Sequence, residues 1–492
     1  MKIEKKNEVY AKITTEPHIA RELSEYFTFE VPGARFMPSY RNKVWDGKIR
    51  LFSVATGQIY LGLLPYIREF CKRNDIRYEL DFNTRPEDID ESTIKSFIKH
   101  LKIPYKARDY QISSILYGAR KCRGLFVCPT ASGKSLIIYG LTRWCHSKNL
   151  KTLILVPTTS LVEQMSSDFL DYGWLESYIQ KVYSGHSKKI EKDVVISTCQ
   201  SLHNFPKKYF EQFGCVIGDE AHLFKAKSLT SIMTKLHLCK YRFGLTGTLD
   251  DLQTHKLVLE GLFGTTNKVI STKELIEKKT LSNLKIDSLI LGYSENDCKI
   301  VKDLKYADEI DYIVNDKRRL TCVNKLVSPL KGNTLVLYQF VEKHGKPLYD
   351  LITNTYKDRK VFFVSGGVDA LTREEIRALT EKSKDAIIVA SYGTFSTGIN
   401  IKNLHNIIFS SPSKSKIRVL QSIGRGLRLG DNKTECKLFD IADDFSYKNR
   451  QNFTLRHFME RINIYNEEQF DYTIHRIKSV SYTHLTLPTS YA

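Results

Sequence analysis

The stretch Leu125–Ser135, LFVCPTASGKS, constrains this chain more than any other. The apolar run Leu125-Phe126-Val127 leads into a loop of small residues ending in Gly133-Lys134-Ser135, and the apolar Leu136-Ile137-Ile138 follows at once. Strand, tight turn and helix in that order are the context a phosphate-binding loop needs. In such a loop Pro129, Thr130, Ala131, Ser132 and Gly133 surround the phosphates and the helix N-terminus adds partial positive charge. Lys134 reaches the β- and γ-phosphates, and the Ser135 hydroxyl is offered to Mg²⁺. Cys128 stands where the general pattern has Gly, so the segment alone also fits an ordinary turn. ATP and Mg²⁺ become the expected ligands only if the rest of the chain supplies partners.

It does so in an alternating pattern of strand and helix. Apolar runs at Leu153–Val156, Val194–Ile196 and Val216–Ile217 are bounded by polar or turn residues and separated by helical stretches, as in a parallel sheet covered on both faces. Such sheets place ligands beyond the carboxyl ends of their strands. There the sequence carries Thr158, Thr198 with Gln200, and the acidic pair Asp219-Glu220 followed by Ala221-His222. Asp219 follows Lys134 by 85 positions and suits the Mg²⁺ shell; Glu220 suits the task of orienting or deprotonating a water. An Asp-Glu pair alone would be a solvated turn, and each hydroxyl alone a local cap. Upstream, a helix is expected from about Asp109 to Lys121, and the amide of Gln111 on it has the donor and acceptor to read an adenine edge. The residues Gly244-Leu245-Thr246-Gly247-Thr248 end a further strand.

A second alternating pattern lacks a phosphate loop. Its strands are expected at Thr334–Phe340, Val361–Val364 and Ile387–Ala390, with the residues from about 280 to 330 as a charged crossover leading to it. In place of a loop it holds Ser391–Asn400, including Thr394, Thr397, Gly398 and Asn400, and the string Gln421-Ser422-Ile423-Gly424-Arg425-Gly426-Leu427-Arg428. Arg425 and Arg428, three apart, would occupy neighbouring positions of a helix and point both guanidinia into one cleft.

Length suggests about three domains. The charge balance is 75 Lys+Arg against 55 Asp+Glu, a formal net charge of +20, which favours a polyanionic partner. Residues 35–52, RFMPSYRNKVWDGKIRLF, interleave five basic residues with four aromatics: Arg41, Lys43, Lys48 and Arg50 offer cations for phosphates and Trp45 a ring for stacking. The plainer alternative is a small β-rich core with a basic rim. Asp46-Gly47 is expected to be a hairpin turn between two short strands. The ten cysteines show no C-x-x-C pair and no zinc spacing, so reduced thiols in a cytosol are expected. No leader pattern and no apolar run of about 20 residues is present, so no membrane association is expected.

The ordered set ARDYQ, PTASGKS, VPTTSLVEQ, DEAH, LTGT and Q-x-x-G-R-x-x-R resembles the motor of superfamily 2 helicases, and R-x-x-x-W-D-G-K-I-R-L-F is similar to the N-terminal module of their phage recombination branch. The resemblance implies an α/β fold with two tandem RecA-like parallel-sheet motor domains preceded by a small α+β domain. The expected boundaries are 1–98 for the basic module, 99–280 and 281–450 for the two motor domains, 451–480 for a C-terminal helical extension packed on the second, and 481–492 for a non-native tail. It implies an ATP-dependent DNA helicase that unwinds or branch-migrates Holliday junctions, stalled forks and R-loops in recombination, replication and repair. An RNA helicase, a duplex translocase without strand separation and a non-enzymatic scaffold are the alternatives. By the same resemblance the catalytic set is Lys134, Asp219, Glu220, His222, Arg425 and Arg428, with Arg428 the arginine finger and Arg425 its support. Gly398, Asn400 and Gln421 join Gln111 and the loop at the nucleotide, Asn400 standing where many relatives carry Asp. Ser135 and Asp219 hold Mg²⁺; Thr158, Thr198, Gln200, Thr394 and Thr397 grip nucleic acid. The expected partners are branched DNA, RNA–DNA hybrids and single-strand-binding or recombination proteins, around a monomer in the cytoplasm, that of the host cell if the chain is phage-encoded.

Overall fold

The computed structural model describes residues 1–477, except 225, 249–252, 369, 395–400, 402, 414 and 431–432 and the side chains of 226, 253, 254, 370, 371 and 374. Two compact units carry the fold, one built from Met1–Cys128 and Gly133–Ile270, the other from Pro129–Ser132 and the chain from Ser271 onward.

The first unit opens with a small α+β module. Its strands are β1 (Lys2–Lys5), β2 (Tyr10–Thr14), β3 (Thr28–Glu30), β4 (Lys48–Arg50), β5 (Phe52–Ser53), β6 (Gln58–Tyr60) and β7 (Glu79–Leu80). Five form a sheet in the order β5-β6-β2-β1-β7, and β3 pairs with β4. The helices Pro17–Tyr26 and Leu64–Arg73 cover the sheet, each with a proline in its first turn, where the missing N–H is harmless. Ile3, Ile13, Leu23, Phe27, Ile59, Ile67 and Phe70 close the core, together with Leu257 from the helix Gln253–Phe263 of the same unit. Asp46-Gly47 does not turn a hairpin. The residues before it form the short helix Pro38–Arg41, and β4 finds its antiparallel partner in β3. The Asp46 carboxylate instead accepts from Lys48 N at 3.1 Å and pairs with Arg50, so local side-chain bonding sets this turn.

The rest of the unit is a doubly covered parallel sheet: β8 (Arg123–Val127), β9 (Lys151–Val156), β10 (Ile179–Val182), β11 (Val194–Thr198), β12 (Phe213–Gly218), β13 (Tyr241–Thr246) and β14 (Thr266–Lys268), in the order β10-β11-β9-β12-β13-β8-β14. Successive residues alternate between two cores. Ile154, Val156, Ile196 and Ile217 enter one, and Leu153, Leu155, Val195 and Val216 the other. Both faces are apolar, which is why these strands read as unbroken apolar runs. The helix Asp109–Lys121 has the expected bounds.

The second unit repeats the architecture with β15 (Asn283–Gly292), β16 (Thr334–Tyr338), β17 (Val361–Val364), β18 (Ile387–Ser391), β19 (Asn406–Phe409), β20 (Glu435–Asp444) and β21 (Tyr472–Ile477), in the order β17-β18-β16-β19-β20-β15-β21, every pairing parallel. Two expectations change here. Residues 280–330 are no mere crossover, because β15 is a ten-residue strand inside the sheet. The 451–480 stretch is not helical alone: the helix Phe453–Glu467 is followed by β21, which pairs with β15 along the sheet edge. That helix packs on its own unit through Arg461, whose guanidinium meets Asp440 of β20 at 2.8 Å.

Candidate active site and nucleic-acid interface

After β8 the chain turns through Pro129–Ser132 into the helix Lys134–His146. The turn needs left-handed backbone at Ala131 (φ 66°) and Gly133 (φ 78°). At Gly133 a side chain would also strike the Gln111 amide, since a Cβ there would lie 2.4 Å from Nε2. Gln111 is buried, its Oε1 accepting from Arg108 N at 2.9 Å and its Nε2 donating to Gly133 O at 3.2 Å. Both ends of the amide are thus engaged by backbone, and these bonds brace the loop. Cys128, in the usual glycine position, is fully buried at the strand end, and burial pushes its thiol up to about 12, so it is an inert packing residue.

Lys134 begins the helix, and its ammonium lies between two carboxylates delivered by the end of β12. It meets Asp219 at 3.0 Å and makes a still shorter contact with Glu220. Asp219 is fixed by Asp219 N donating to Leu155 O at 2.9 Å, and its carboxylate accepts from Glu220 N at 2.9 Å. Glu220 takes a left-handed conformation (φ 49°), which aims the pair back at the loop. Burial opposes every charge in this cluster. For Lys134, Asp219 and Glu220 together outweigh it and raise the ammonium above its usual value. For Asp219 burial wins, with Glu220 adding to it, and the carboxyl is raised. For Glu220 burial is outweighed by Lys134 and His222, and the carboxyl stays low. His222 is buried, its Nδ1 hydrogen-bonded to the Thr246 hydroxyl at the end of β13, and that hydroxyl donates to Thr248 O at 2.6 Å. The Asp219–His222 turn is thereby tied to the Gly244–Thr248 strand end.

Ser135 Oγ meets the hydroxyl of Tyr172 at 2.8 Å, a partner that closes the helix Thr159–Asp171 and that no local sequence signal marks. Among the described residues no group of three or more His, Cys, Asp or Glu side chains forms a cation cage. Ser135 and Asp219 would therefore leave most of a divalent ion's shell to phosphate oxygens and water, which is how Mg²⁺ is ordinarily bound.

The remaining site residues fall where strands end. Thr158 caps the helix Thr159–Asp171 by accepting from Leu161 N at 3.4 Å, Thr198 Oγ1 lies 2.9 Å from Ser201 Oγ, and Gln200 is exposed beside it. In the second unit Thr394 Oγ1 lies 2.8 Å from Ser391 Oγ; Thr397, Gly398 and Asn400 lie outside the described residues. Gln421 and Arg425 are on the helix Lys416–Gly426, but Arg428 is not: the helix stops at Gly426 and Leu427 caps it. Buried Lys433 sets this end by donating to Gly426 O and, at 3.0 Å, to Arg428 O, satisfying carbonyls that a helix terminus leaves open. The motif did not reveal Lys433, which acts through a backbone turn. In the N-terminal module Arg41, Lys43, Lys48 and Arg50 are all exposed on one ten-residue stretch, with Phe36 and Val44 uncovered near them. Trp45 is half-buried, its indole N–H donating to Lys48 O at 2.8 Å.

Comparison with known proteins matches three segments of the chain. The family description DNA helicase UvsW, N-terminal, matches residues 1–81; Type III restriction enzyme, res subunit, matches 83–251; and Helicase conserved C-terminal domain matches 318–430. The ATP-dependent DNA helicase uvsW of Enterobacteria phage T4 is 36% identical over 490 residues, which cover 94% of this chain and 97% of that one. The crystal structure of T4 UvsW aligns with a TM-score of 0.51 at 33% identity, covering 97% of this chain and 99% of that chain. The DNA-bound Type ISP restriction-modification enzyme LlaBIII shares the fold alone, with a TM-score of 0.56 at 15% identity over 77% of this chain and 32% of that one. With a phosphate loop, an acidic pair closing on its lysine, two seven-stranded parallel sheets and near full-length identity to the T4 protein, this chain belongs to the UvsW family of ATP-dependent DNA helicases.

Proposed function

We propose that the chain is an ATP-driven, Mg²⁺-dependent DNA helicase that acts on branched nucleic acid: Holliday junctions, stalled forks and R-loops. The observation that carries this is the Lys134 ammonium at a helix N-terminus, held by the Asp219 and Glu220 carboxylates from 85 and 86 positions away. Incoming phosphates compete with those carboxylates for Lys134 and gain the helix-terminal charge. Drawing Lys134 away removes the cation that keeps Glu220 low, so the proton affinity of Glu220 rises when an attacking water has to be deprotonated. Its Oε2, 3.5 Å from His222 Nδ1, is the oxygen proposed to take the water's proton. Ser135 and Asp219 would hold Mg²⁺, which would supply charge neutralisation at the transferring phosphate. For Arg425 and Arg428 the support is their motif, and the proposed role is to bring cationic charge to the γ-phosphate during turnover.

The exposed cations between Arg41 and Arg50, with Thr158, Thr198, Gln200, Thr394 and Thr397, are proposed to hold the sugar-phosphate backbone, so binding follows salt and DNA geometry more than sequence. Lys134→Ala is expected to abolish hydrolysis while salt-sensitive DNA binding remains. ATPase rates on forks, four-way junctions, R-loops, linear duplex and single-stranded RNA test the substrate class; equal stimulation by linear and branched DNA would overturn the preference, and stimulation by RNA alone would make the chain an RNA helicase.

A further inference from the structure

A second cavity lies within the first unit, away from the phosphate loop. It has a volume of about 460 Å³, within the range of small-ligand sites. Its walls come from three places: the turn Leu61–Leu63 and helix Leu64–Arg73 of the N-terminal module, the segment 82–87, and the motor-domain side formed by the helix Asp109–Lys121, β8 and residues 264–265. Neither Lys134 nor Asp219 nor Glu220 lines it. The segment 82–87 falls where one family description ends, at residue 81, and the next begins, at residue 83.

The lining is lopsided in charge. Arg68, Arg85, Arg120, Lys121 and Arg123 all contribute, against carboxylates from Glu8 and Glu87 only. Each carboxylate already has a lysine, Lys5 on Glu8 at 2.6 Å and Lys240 on Glu87 at 2.6 Å. These five cations share two carboxylates that are already paired, with Asp90 near Arg120, whose Nε donates to Ile89 O at 2.5 Å. Arg123 Nη2 reaches Glu8 O at 3.1 Å and Glu8 Oε2 at 3.3 Å, but its Nη1 is buried with no hydrogen-bond partner among the described residues. Arg68 donates through Nη2 to the Thr84 hydroxyl at 2.7 Å, while its Nε is likewise buried and unpartnered. Guanidinium stays protonated in proteins, so two buried cationic N–H groups without acceptors are a desolvation penalty that an anion would offset. Burial also pushes the Arg123 pKa down, the direction expected of a cation whose counter-charge is incomplete.

We propose that this cavity is a second phosphate-binding site, in which Arg68 and Arg123 grip a phosphoryl group and Arg85 and Arg120 balance its remaining charge. The planar fork of guanidinium matches phosphate oxygens in pairs, which a lysine cannot do. Tyr117 and the apolar side chains of Leu61, Leu64 and Phe82 provide a wall for the body that carries the phosphate. A ligand there touches the N-terminal module, the connecting segment and the first motor domain together, so its binding would fasten one to the other. The phosphate has two sources, a free phosphorylated small molecule or the backbone of the DNA being remodelled.

Pyrophosphate is the probe, titrated calorimetrically into the full chain carrying Lys134→Ala, so that the phosphate loop is disabled. The expected result is one saturable binding event, weakened at least tenfold by Arg68→Gln and by Arg123→Gln, with an unchanged thermal unfolding midpoint in the Arg68→Gln protein. If Arg123→Gln fails to fold because Glu8 loses one of its two cationic partners, Arg68→Gln and Arg85→Ala carry the test. Displacement of pyrophosphate by excess fork DNA would assign the site to backbone phosphate, and simultaneous binding of both would assign it to a free phosphorylated molecule. No saturable binding, or binding indifferent to the arginine variants, overturns the proposal.

Discussion

Arg319 and Asp443 show how much a single buried pair is asked to do in the second unit. Both side chains are fully buried, Arg319 Nε lies 2.7 Å from Asp443 Oδ1, and Nη2 lies 3.0 Å from Oδ2. Arg319 Nη1 donates to Ser410 O at 2.7 Å and the Tyr293 hydroxyl donates to Asp443 at 2.7 Å, so the ion pair joins the helix Lys317–Val327 to the ends of β15, β19 and β20. Removing one charge leaves the other buried and uncompensated. Asp443→Asn should therefore lower stability by about 3–5 kcal/mol, read as a fall in the urea midpoint, whereas Arg319→Met with Asp443→Leu should recover part of that loss. A single variant as stable as the parent would show that the pair contributes nothing. His344 tests the same neighbourhood through pH. Its Nδ1 is 2.8 Å from Ser411 Oγ, and burial, aided by the Arg319 charge, pushes its pKa down to about 3. The unfolded chain takes up that proton near pH 6.5, the folded chain only near 3, so stability is complete above 6.5 and declines as pH falls between the two values. The loss between pH 6.5 and 5 should be about 2 kcal/mol. In His344→Gln the slope of unfolding midpoint against pH over this window should flatten; an unchanged slope would place the titration elsewhere.

At the scale of elements, the N-terminal module is set against the first motor domain by a meeting of two glycines. A Cβ on Gly62, in the turn before the helix Leu64–Arg73, would lie 2.1 Å from Glu260 O and 2.6 Å from Gly261 O, and one on Gly261 would lie 2.8 Å from the Tyr60 ring. Because the obstacle at Gly62 is backbone at the end of the helix Gln253–Phe263, it cannot swing aside. Gly62→Ala should loosen the module, raising protease cleavage at 82–90 while the parallel sheets stay resistant; a cleavage pattern identical to that of the parent would show that the approach can relax. This contact was not legible in the sequence, where Gly62 is one glycine in an apolar stretch. Legibility followed burial. Strands apolar on both faces, such as β9 and β11, announced themselves, whereas β15 carries Lys285 and Asp287 and looked like a connector. Its partner β21 alternates polar residues on a sheet edge and was missed for the same reason, although His475 of β21 lies 3.0 Å from Asp287 of β15. A polar residue satisfied by a chain segment nearly two hundred positions away leaves no trace in local periodicity. The phosphate loop and the Asp219-Glu220 turn could be read because each is a local string; Tyr172, Lys433 and the Arg68–Arg123 cavity could not, because each exists only once distant segments meet.

For the whole molecule, the division of labour between its two sheets decides what a variant should do. Both have seven parallel strands, but only the first unit carries the lysine and acidic pair that would bind a triphosphate, and only the second carries the Q-x-x-G-R-x-x-R string. Binding and turnover should then separate by unit. If Lys134 and its neighbours suffice to hold ATP, Arg428→Ala should leave the dissociation constant for a fluorescent ATP analogue within about threefold of the parent. If Arg428 meets charge that develops only as the terminal phosphate is transferred, the same variant should lose turnover by about 10³-fold or more. Arg428→Lys keeps the charge but not the paired donors, so it should fall between the two. Lys433→Met supplies a control of different kind: it removes the donor to Gly426 O and Arg428 O without removing either arginine, and should lower kcat with KM for ATP little changed. Near-normal turnover in Arg428→Ala would show that Arg428 is not the finger. Loss of ATP binding together with turnover would instead place Arg428 among the groups that hold the ground-state nucleotide, a role its motif alone does not distinguish from transition-state stabilisation.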